Sequence, residues 1–515
     1  MIESNDKVLS ARIVTSSLFI VLAVAGMLFS IYLIYIANNL YMYILAIAFT
    51  CLAVVSGFFN IFTAISYYRS YFYQAYIDKV RKALKPMRTF PTVAVIMPVY
   101  NEDVRTVETN LLRLKELKYK RGKVGFYLGD DSTDSATRDR LARFCAEHGI
   151  TRVTREGRKG FKAGNINNIM KHVKEDYIAI FDYDEYITDT NFLIDLMPYF
   201  SDRKLAYIQT EKSYREGAGL FADSVSLFDA FFFRFIQQAR ALNNTAIFAG
   251  SCGVINRRIL DRIGGMPEYI IEDTFFSFVS HMKGYKNLYI PKVYAVGKPI
   301  TTFTQLVRQQ WRYNYGDTQF LRYFYRYRKP KELTPLTNAE YITHGFGLNY
   351  ISVVLLLFTL VSVLIVFSAV PFTSITLQQF FQGRYIGVDL EVLGSMAFFL
   401  SLIVPVILTK IYFKSVKKGI MILLLNFALV IVRTKAAIAA LVSASPGGVW
   451  KRQHGDDRHS LRFAIANTKI EVGMAAALAV LCAVAILENN FIGSVWLFWY
   501  ATLYTLATVF FYRYG

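Results

Sequence analysis

The chain has 515 residues, 54% hydrophobic and 16% aromatic, with a formal charge of +20 and a mean hydropathy of +0.31. That is too apolar for an ordinary soluble protein, so part of the chain is expected in lipid. The positive balance fits anionic lipid, an acidic ligand or nucleic acid, while the four scattered cysteines (Cys51, Cys145, Cys252, Cys482) have no CxxC spacing that would point to a disulfide framework or a zinc site.

From Ile13 to Tyr68 there is no charged residue. One crossing takes about 20 apolar residues, so this stretch predicts two membrane helices turning at Asn38-Asn39. The first run is too long for a cleaved signal peptide and is followed at once by a second, so residues 1–68 are expected to remain as a transmembrane hairpin. A basic interfacial connector follows at 69–91.

Residues 92–298 have ordinary polar composition and read as one cytosolic domain. "TVAVIMPVYNED" (Thr92 to Asp103), "KVGFYLGDDSTDS" (Lys123 to Ser135) and "DYIAIFDYDEY" (Asp176 to Tyr186) each read as a buried strand running into acids, separated by helical stretches at 104–117 and 134–147. Alternating strands and helices predict a mostly parallel α/β sheet, in which ligands bind at the carboxyl ends of the strands. Asp182 and Asp184 fall on the same side of an extended segment, which suits a hard divalent ion shared with a diphosphate and equally describes a solvated acidic turn.

"REGRKGFKAGNINN" (Arg155 to Asn168) offers Lys162 between glycines as a point charge for phosphate, or simply a basic loop before a helix. "FAGSCGVINRR" (Phe248 to Arg258) is a small-residue turn where a ligand can approach backbone. Glu272-Asp273 precedes an amphipathic helix, and Asp273 could be no more than its N-cap. In "RQQWRYNYGDTQF" (Arg308 to Phe320), Gln309, Arg312 and Tyr313 share one helix face.

Residues 299–343 read as interfacial helices, with Arg322, Arg326, Arg328 and Lys329 placed to lie over anionic headgroups. The C-terminal region, 344–515, holds apolar runs at about 346–370, 392–409, 472–487 and 491–512. The shorter run from Gly419 is marginal as a crossing, so 419–443 is read as an interfacial segment followed by a cytosolic loop, 444–469. Six spans then put both termini and all strongly basic segments on one side, with Arg384 the exception, as the positive-inside rule asks. In "PGGVWKRQHGDDRHS" (Pro446 to Ser460), His454 and His459 beside Asp456 and Asp457 have no spacing that demands a metal.

In this order and spacing, "PVYNED", "DDSTD", "KAGN", "DYD", "FAGSCGVINRR", "IED" and "QQWRY" resemble the membrane-embedded processive family 2 glycosyltransferases, the group containing cellulose, chitin and hyaluronan synthases. The likeness is strong over residues 92 to about 320 and looser over the membrane frame and the Trp450 region. It implies an α/β glycosyltransferase A-type domain with a Rossmann-like sheet, inserted into an α-helical transmembrane bundle of about six spans plus interfacial helices. It further implies inverting, metal-dependent transfer from a UDP-sugar to a growing polysaccharide, with Mg2+ or Mn2+ as cofactor and export of the polymer through the membrane channel.

By the same likeness Asp273 is the base, and Asp184 with Asp182 holds the metal and diphosphate. Tyr100, Glu102, Asp130 and Asp131 hold the uridine, Lys162 lies beside the nucleotide, and Gln309 and Arg312 grip the diphosphate. Glu272 and Tyr313 face the acceptor, and Trp450, Lys451 and Arg452 belong to a loop that gates the nucleotide. Three positions depart from the pattern: Ser132 replaces the common Gly, Ile271 a Thr, and Tyr313 the Trp that closes the Q-x-x-R-W motif. Tyr still stacks on a sugar, with a smaller face and an added hydroxyl.

The same chemistry on a lipid acceptor would make the chain a glycolipid synthase. A transporter with a nucleotide-sensing domain would release no UDP. Nucleic acid is disfavoured, because the positive charge follows the membrane face and carboxylates line the cleft. The expected location is a multi-pass protein of the cell membrane with both termini and the catalytic domain cytosolic; the sequence names no protein partner.

Overall fold

A computed structural model describes residues 5–37, 39–84, 89–347, 349–366, 403–443, 460–488 and 490–515. The N-terminal apolar stretch forms the helices Asn5–Ile36 and Leu40–Lys82, the second capped by the Asn39 side chain, which accepts from Met42 N. This second helix does not end with its apolar run. It runs for 43 residues in all, to Lys82, so the basic connector begins as helix. Near its end Tyr73 and Ile77 are buried in the core of the sheet domain.

Eight strands make one sheet: β1 Val93–Val99, β2 Val124–Asp130, β3 Thr151–Thr154, β4 Tyr177–Ile180, β5 Tyr186–Ile187, β6 Leu205–Tyr214, β7 Gly253–Asn256 and β8 Lys286–Gly297. Their order is β3-β2-β1-β4-β7-β6-β8-β5. Tyr73 Oη donates to the Tyr289 carbonyl of β8 at 2.6 Å, fastening the long helix to this sheet.

The strand β1 is apolar throughout because both its faces are covered. Val93, Val95, Met97 and Val99 enter one core with the helices Val104–Lys115 and Ser135–Glu147, while Ala94 and Ile96 enter another with Phe161–Met170. Asp103 and Asp134 cap the first two of these helices, accepting from Thr106 N at 3.0 Å and Thr137 N at 2.7 Å.

β1, β2 and β4, the three strands expected from the sequence, pair in parallel, and β3 extends them in parallel from β2. The sheet is mostly parallel as expected but mixed, since β7 runs antiparallel between β4 and β6, and β5 runs antiparallel to β8. The expectation missed the short strands β3, β5 and β7 and the long strands β6 and β8. Polar residues fill half of "LAYIQTEKSY", and Pro291 interrupts β8, where the pairing jumps from Thr210↔Ile290 to Glu211↔Val293 around a bulge.

Toward the C-terminus the helix Phe303–Tyr327 buries Phe303, Leu306, Phe320 and Phe324. Four helices among the described residues are long and apolar enough to cross a membrane, and six if two bent pairs each count as one span. One bent pair, Val416–Ala428 with Val430–Val442, turns by 47° and covers the segment expected to be interfacial. By length and composition these helices make the chain a multi-pass membrane protein. Most of the expected 392–409 span, Arg384 and the loop carrying Trp450, Lys451 and Arg452 lie outside the described residues.

Several basic residues expected over lipid headgroups hold protein carbonyls and amides. Arg322 Nη1 donates to the Ala440 carbonyl at 3.1 Å, near the C-terminal end of Val430–Val442, where a cation complements the helix dipole. Lys329 Nζ reaches the Met282 carbonyl at 3.0 Å, and Arg328 Nη1 reaches Asn338 Oδ1 at 3.3 Å.

A buried polar cluster ties the sheet domain to the helices around it. Arg240 donates to the carbonyls of Thr245 and Glu340, and the Glu340 carboxylate accepts from Asn243 and Thr245 and pairs with Arg69 of the long helix at 3.7 Å. Glu340 is 2% exposed and Arg240 1%, so removing one partner strands the other's charge. Glu340→Ala should cost about 3–5 kcal/mol and lower the thermal midpoint of the detergent-purified protein. An unchanged midpoint would deny the cluster that holding role.

Candidate active site

The carboxyl ends of β1, β2 and β3 carry the first group of site residues. Past β1, Asn101 adopts φ 51 and joins the two neighbouring loops. Its N–H donates to Ser132 Oγ at 3.1 Å, and its side chain exchanges bonds with Thr133 N (2.8 Å) and Thr133 Oγ1 (2.9 Å). Ser132 thus supplies a hydroxyl that glycine could not, which accounts for that departure from the family pattern.

Asp130 is buried with both carboxylate oxygens engaged, one by Ser132 N at 2.9 Å and the other by Arg152 at 2.7 Å and 2.9 Å. Asp131 holds Arg155 through both of its oxygens, at 2.7 Å and 2.9 Å. Neither arginine was visible as a site residue in the sequence. Tyr100 lies under the Arg158 guanidinium, 3.0 Å from the ring centroid, with Glu102 half-buried on the same loop.

Arg155 also donates to the Phe161 carbonyl at 2.8 Å, which links this group to the next. Gly160, at φ 74, starts the helix Phe161–Met170 and places Lys162 in its first turn. Lys162 Nζ donates to Asp182 and to the Gly250 carbonyl, the latter at 3.1 Å. Lys212, on β6, reaches Asp182 at 3.5 Å, Glu185 at 3.2 Å and Ser251 Oγ at 2.6 Å. Ser251 Oγ in turn donates to Glu185 at 2.6 Å, and Glu185 accepts from Asp182 N at 2.9 Å. Burial works against a charged Asp182, but Lys162 and Lys212 together hold its carboxyl below the usual range. Lys212 and Glu185 were missed by the sequence reading; the only signal was that Glu185 directly follows the D-x-D.

Asp184 differs from Asp182. Burial, with the negative charges of Asp182 and Glu185, pushes its carboxyl up to about 7, and Lys212 offsets this only in part. Among the described residues no group of three or more His, Cys, Asp or Glu side chains could hold a metal alone. Two hard carboxylate donors on one turn nevertheless fit a divalent ion that completes its coordination with substrate phosphates.

Glu272 and Asp273 form the first turn of the helix Glu272–Met282 rather than preceding it. The N-cap is Ile271, without a side-chain bond, so capping does not account for Asp273, which among the described residues accepts only from the adjacent Thr274 N at 2.8 Å. Burial, then Asp273, raises Glu272 to about 7, and burial raises Asp273. Opposite them stands Arg312. Burial opposes its charge, but Tyr313, Glu272 and Asp273 more than restore it, and its Nε has no hydrogen-bond partner among the described residues. Gln309 Nε2 donates to Tyr313 Oη at 3.4 Å, so the face predicted from spacing exists.

Gly250, at φ +81, joins the two halves: a β-carbon there would stand 3.1 Å from Asp273 Oδ2 and 3.5 Å from Lys162 Nζ. One small gap is therefore bordered by the lysine on the D-x-D and by the half-buried Asp273. Residues 177–414 match the glycosyl transferase family group 2. The chain carries a family 2 glycosyltransferase domain.

Among the relatives of this chain is the cellulose synthase catalytic subunit [UDP-forming] of Xanthomonas axonopodis pv. citri, 33% identical over 246 residues, which are 46% of this chain and 32% of that one. Another is the cellulose synthase 1 catalytic subunit [UDP-forming] of Komagataeibacter xylinus, 26% identical over 45% of this chain and 32% of the relative. The chain thus spans about a third of the length of these curated relatives. Among solved structures, a mannosyltransferase from Pyrobaculum calidifontis in complex with GDP-Man and Mn2+ aligns at a TM-score of 0.45 and 18% identity, over 69% of this chain and all of that one. The mixed eight-stranded sheet is like that of the A-type glycosyltransferases.

Proposed function

We propose that this glycosyltransferase moves a sugar, with inversion, from a UDP-sugar to a growing polysaccharide, and that its membrane helices pass the polymer across the bilayer. The meeting of Asp273 and Lys162 at Gly250 carries this reading, because a base for the acceptor and a cation for the departing diphosphate must stand on either side of one anomeric carbon. The Asp273 carboxylate takes the proton of the acceptor hydroxyl. That oxygen forms its bond to the anomeric carbon as the bond to the diphosphate oxygen breaks, and UDP leaves with the electron pair.

Lys162 and Arg312 meet the charge that develops on the diphosphate. Asp182 and Asp184 would hold Mg2+ or Mn2+, which, when bound, supplies further positive charge to the leaving group. Tyr100, Glu102 and Asp131 border the uridine side, Asp130 supports them through Arg152, and Glu272 and Tyr313 face the acceptor. Gln309 acts through Tyr313, and Trp450, Lys451 and Arg452 are assigned to the gating loop from their place in the sequence.

The proposed organisation has a hairpin at 1–68, a connector at 69–91, the catalytic domain at 92–298, interfacial helices at 299–343 and the C-terminal membrane region at 344–515. The basic segments beside the spans favour a cytosolic domain in the cell membrane. Purified protein in nanodiscs, given labelled UDP-glucose, UDP-N-acetylglucosamine or UDP-glucuronate in turn, should release UDP with at least one of them and yield long labelled chains. A single labelled lipid would replace the polymer by a glycolipid, and no UDP release from any donor would refute the transfer reading.

A further inference from the structure

Asp317 has no part in the chemistry above. It lies one helical turn beyond Tyr313 on Phe303–Tyr327, at the flank of the stripe made by Gln309, Tyr313, Gly316 and Phe320. This part of the helix is pressed onto the residues that lead into the acidic pair: a β-carbon at Gly316 would come within 2.6 Å of Ile271 and 3.0 Å of Ile270. Asp317 also abuts the backbone of Gly347, where the chain leaves the helix Pro335–Phe346 at φ 49, and a β-carbon at Gly347 would collide with the Asp317 carboxylate. The carboxyl therefore stands between the helix that bears Tyr313 and the bend that opens the C-terminal membrane region.

Asp317 is half-buried and, among the described residues, makes no hydrogen bond and no ion pair. Burial, reinforced by the charge of Asp273, pushes its carboxyl well above the usual range, which also places it within electrostatic reach of the proposed base. A carboxyl so placed is out of keeping with its surroundings unless a ligand brings the missing donor.

We propose that Asp317 is an acceptor-recognition residue: its carboxyl receives a hydroxyl or amine of the sugar just past Tyr313, selecting neutral and amino sugars against uronates. The inference rests on the transfer reading, since it takes Tyr313 to face the acceptor. A uronate would bring a third acid beside Asp273 and Asp317, two carboxyls whose charged forms burial already opposes, so ionising it there is disfavoured.

The test is equilibrium binding to the full-length protein in nanodiscs without donor, using cellotetraose, chitosan tetraose and a tetrasaccharide ending in glucuronate, with UDP titrated separately. Wild type should bind the first two more tightly than the third. Asp317→Asn, which keeps the shape, and Asp317→Leu, which removes the polar atoms, should each weaken the chitosan tetraose by about tenfold or more, while UDP binding moves by less than about twofold. Equal acceptor affinity in wild type and Asp317→Asn, a parallel loss of UDP binding, or no binding of any acceptor would overturn the inference. Asp317-dependent acceptor binding in a protein that releases UDP from no donor would sink the transfer reading alone.

Discussion

Asp273→Asn should reduce sugar transfer by about 100- to 10,000-fold while leaving UDP binding near the wild-type value, the loss expected when a general base is replaced by its amide. The substitution is almost isosteric. Asn Oδ1 can still accept from Thr274 N, the only hydrogen bond to the Asp273 side chain among the described residues. Because Ile271 caps this helix without a side-chain bond, the exchange leaves its start intact. Turnover and UDP affinity measured on the same preparation separate the outcomes: near-native turnover removes Asp273 from the base role, and parallel loss of both points to a folding defect.

Arg312→Ala should lower turnover by about 100- to 1,000-fold, the scale at which one aimed donor to a developing charge contributes. Two consequences follow from its position. The variant loses the buried Nε that lacks a partner among the described residues, and it leaves Glu272 and Asp273 without the guanidinium that faces them. Arg312→Lys should recover little, because a point charge on a flexible stem does not reproduce the planar fork. Unchanged donor KM and rate in Arg312→Ala would reduce the helix to a packing element.

The legible parts of the fold were those with one physical cause. β1 reads as buried because each of its faces meets a different core, and the first helices read clearly because Asp103 and Asp134 cap them. β6 and β8 were hidden because their apolar residues mix with polar ones that face the site, and because a bulge at Pro291 breaks the period. Lys212 is the sharpest example. It sits in the polar half of β6, and only the folded sheet shows that it reaches Asp182 from the side opposite Lys162.

Asp130 shows the reverse. The sequence marks it as strongly as Asp131, yet the fold consumes both its oxygens in holding Ser132 and Arg152. Motif strings state which residues gather at the carboxyl ends of the strands; they do not state that each of the two adjacent carboxylates is engaged by an arginine, Asp130 by Arg152 and Asp131 by Arg155. The placing of Glu272-Asp273 inside the helix, rather than before it, belongs to the same class of detail.

The helix Leu40–Lys82 is a rod roughly 65 Å long at about 1.5 Å per residue, with no break between its apolar start and its seat under β8. A continuous rod transmits torque as well as distance. One residue inserted between Tyr68 and Tyr73 would turn everything beyond it by about 100°, carrying Tyr73 away from Tyr289, whereas an insertion of about one turn nearly restores the facing. The azimuth of the sheet about this axis is therefore written into the helical phase of a segment that holds none of the proposed catalytic residues.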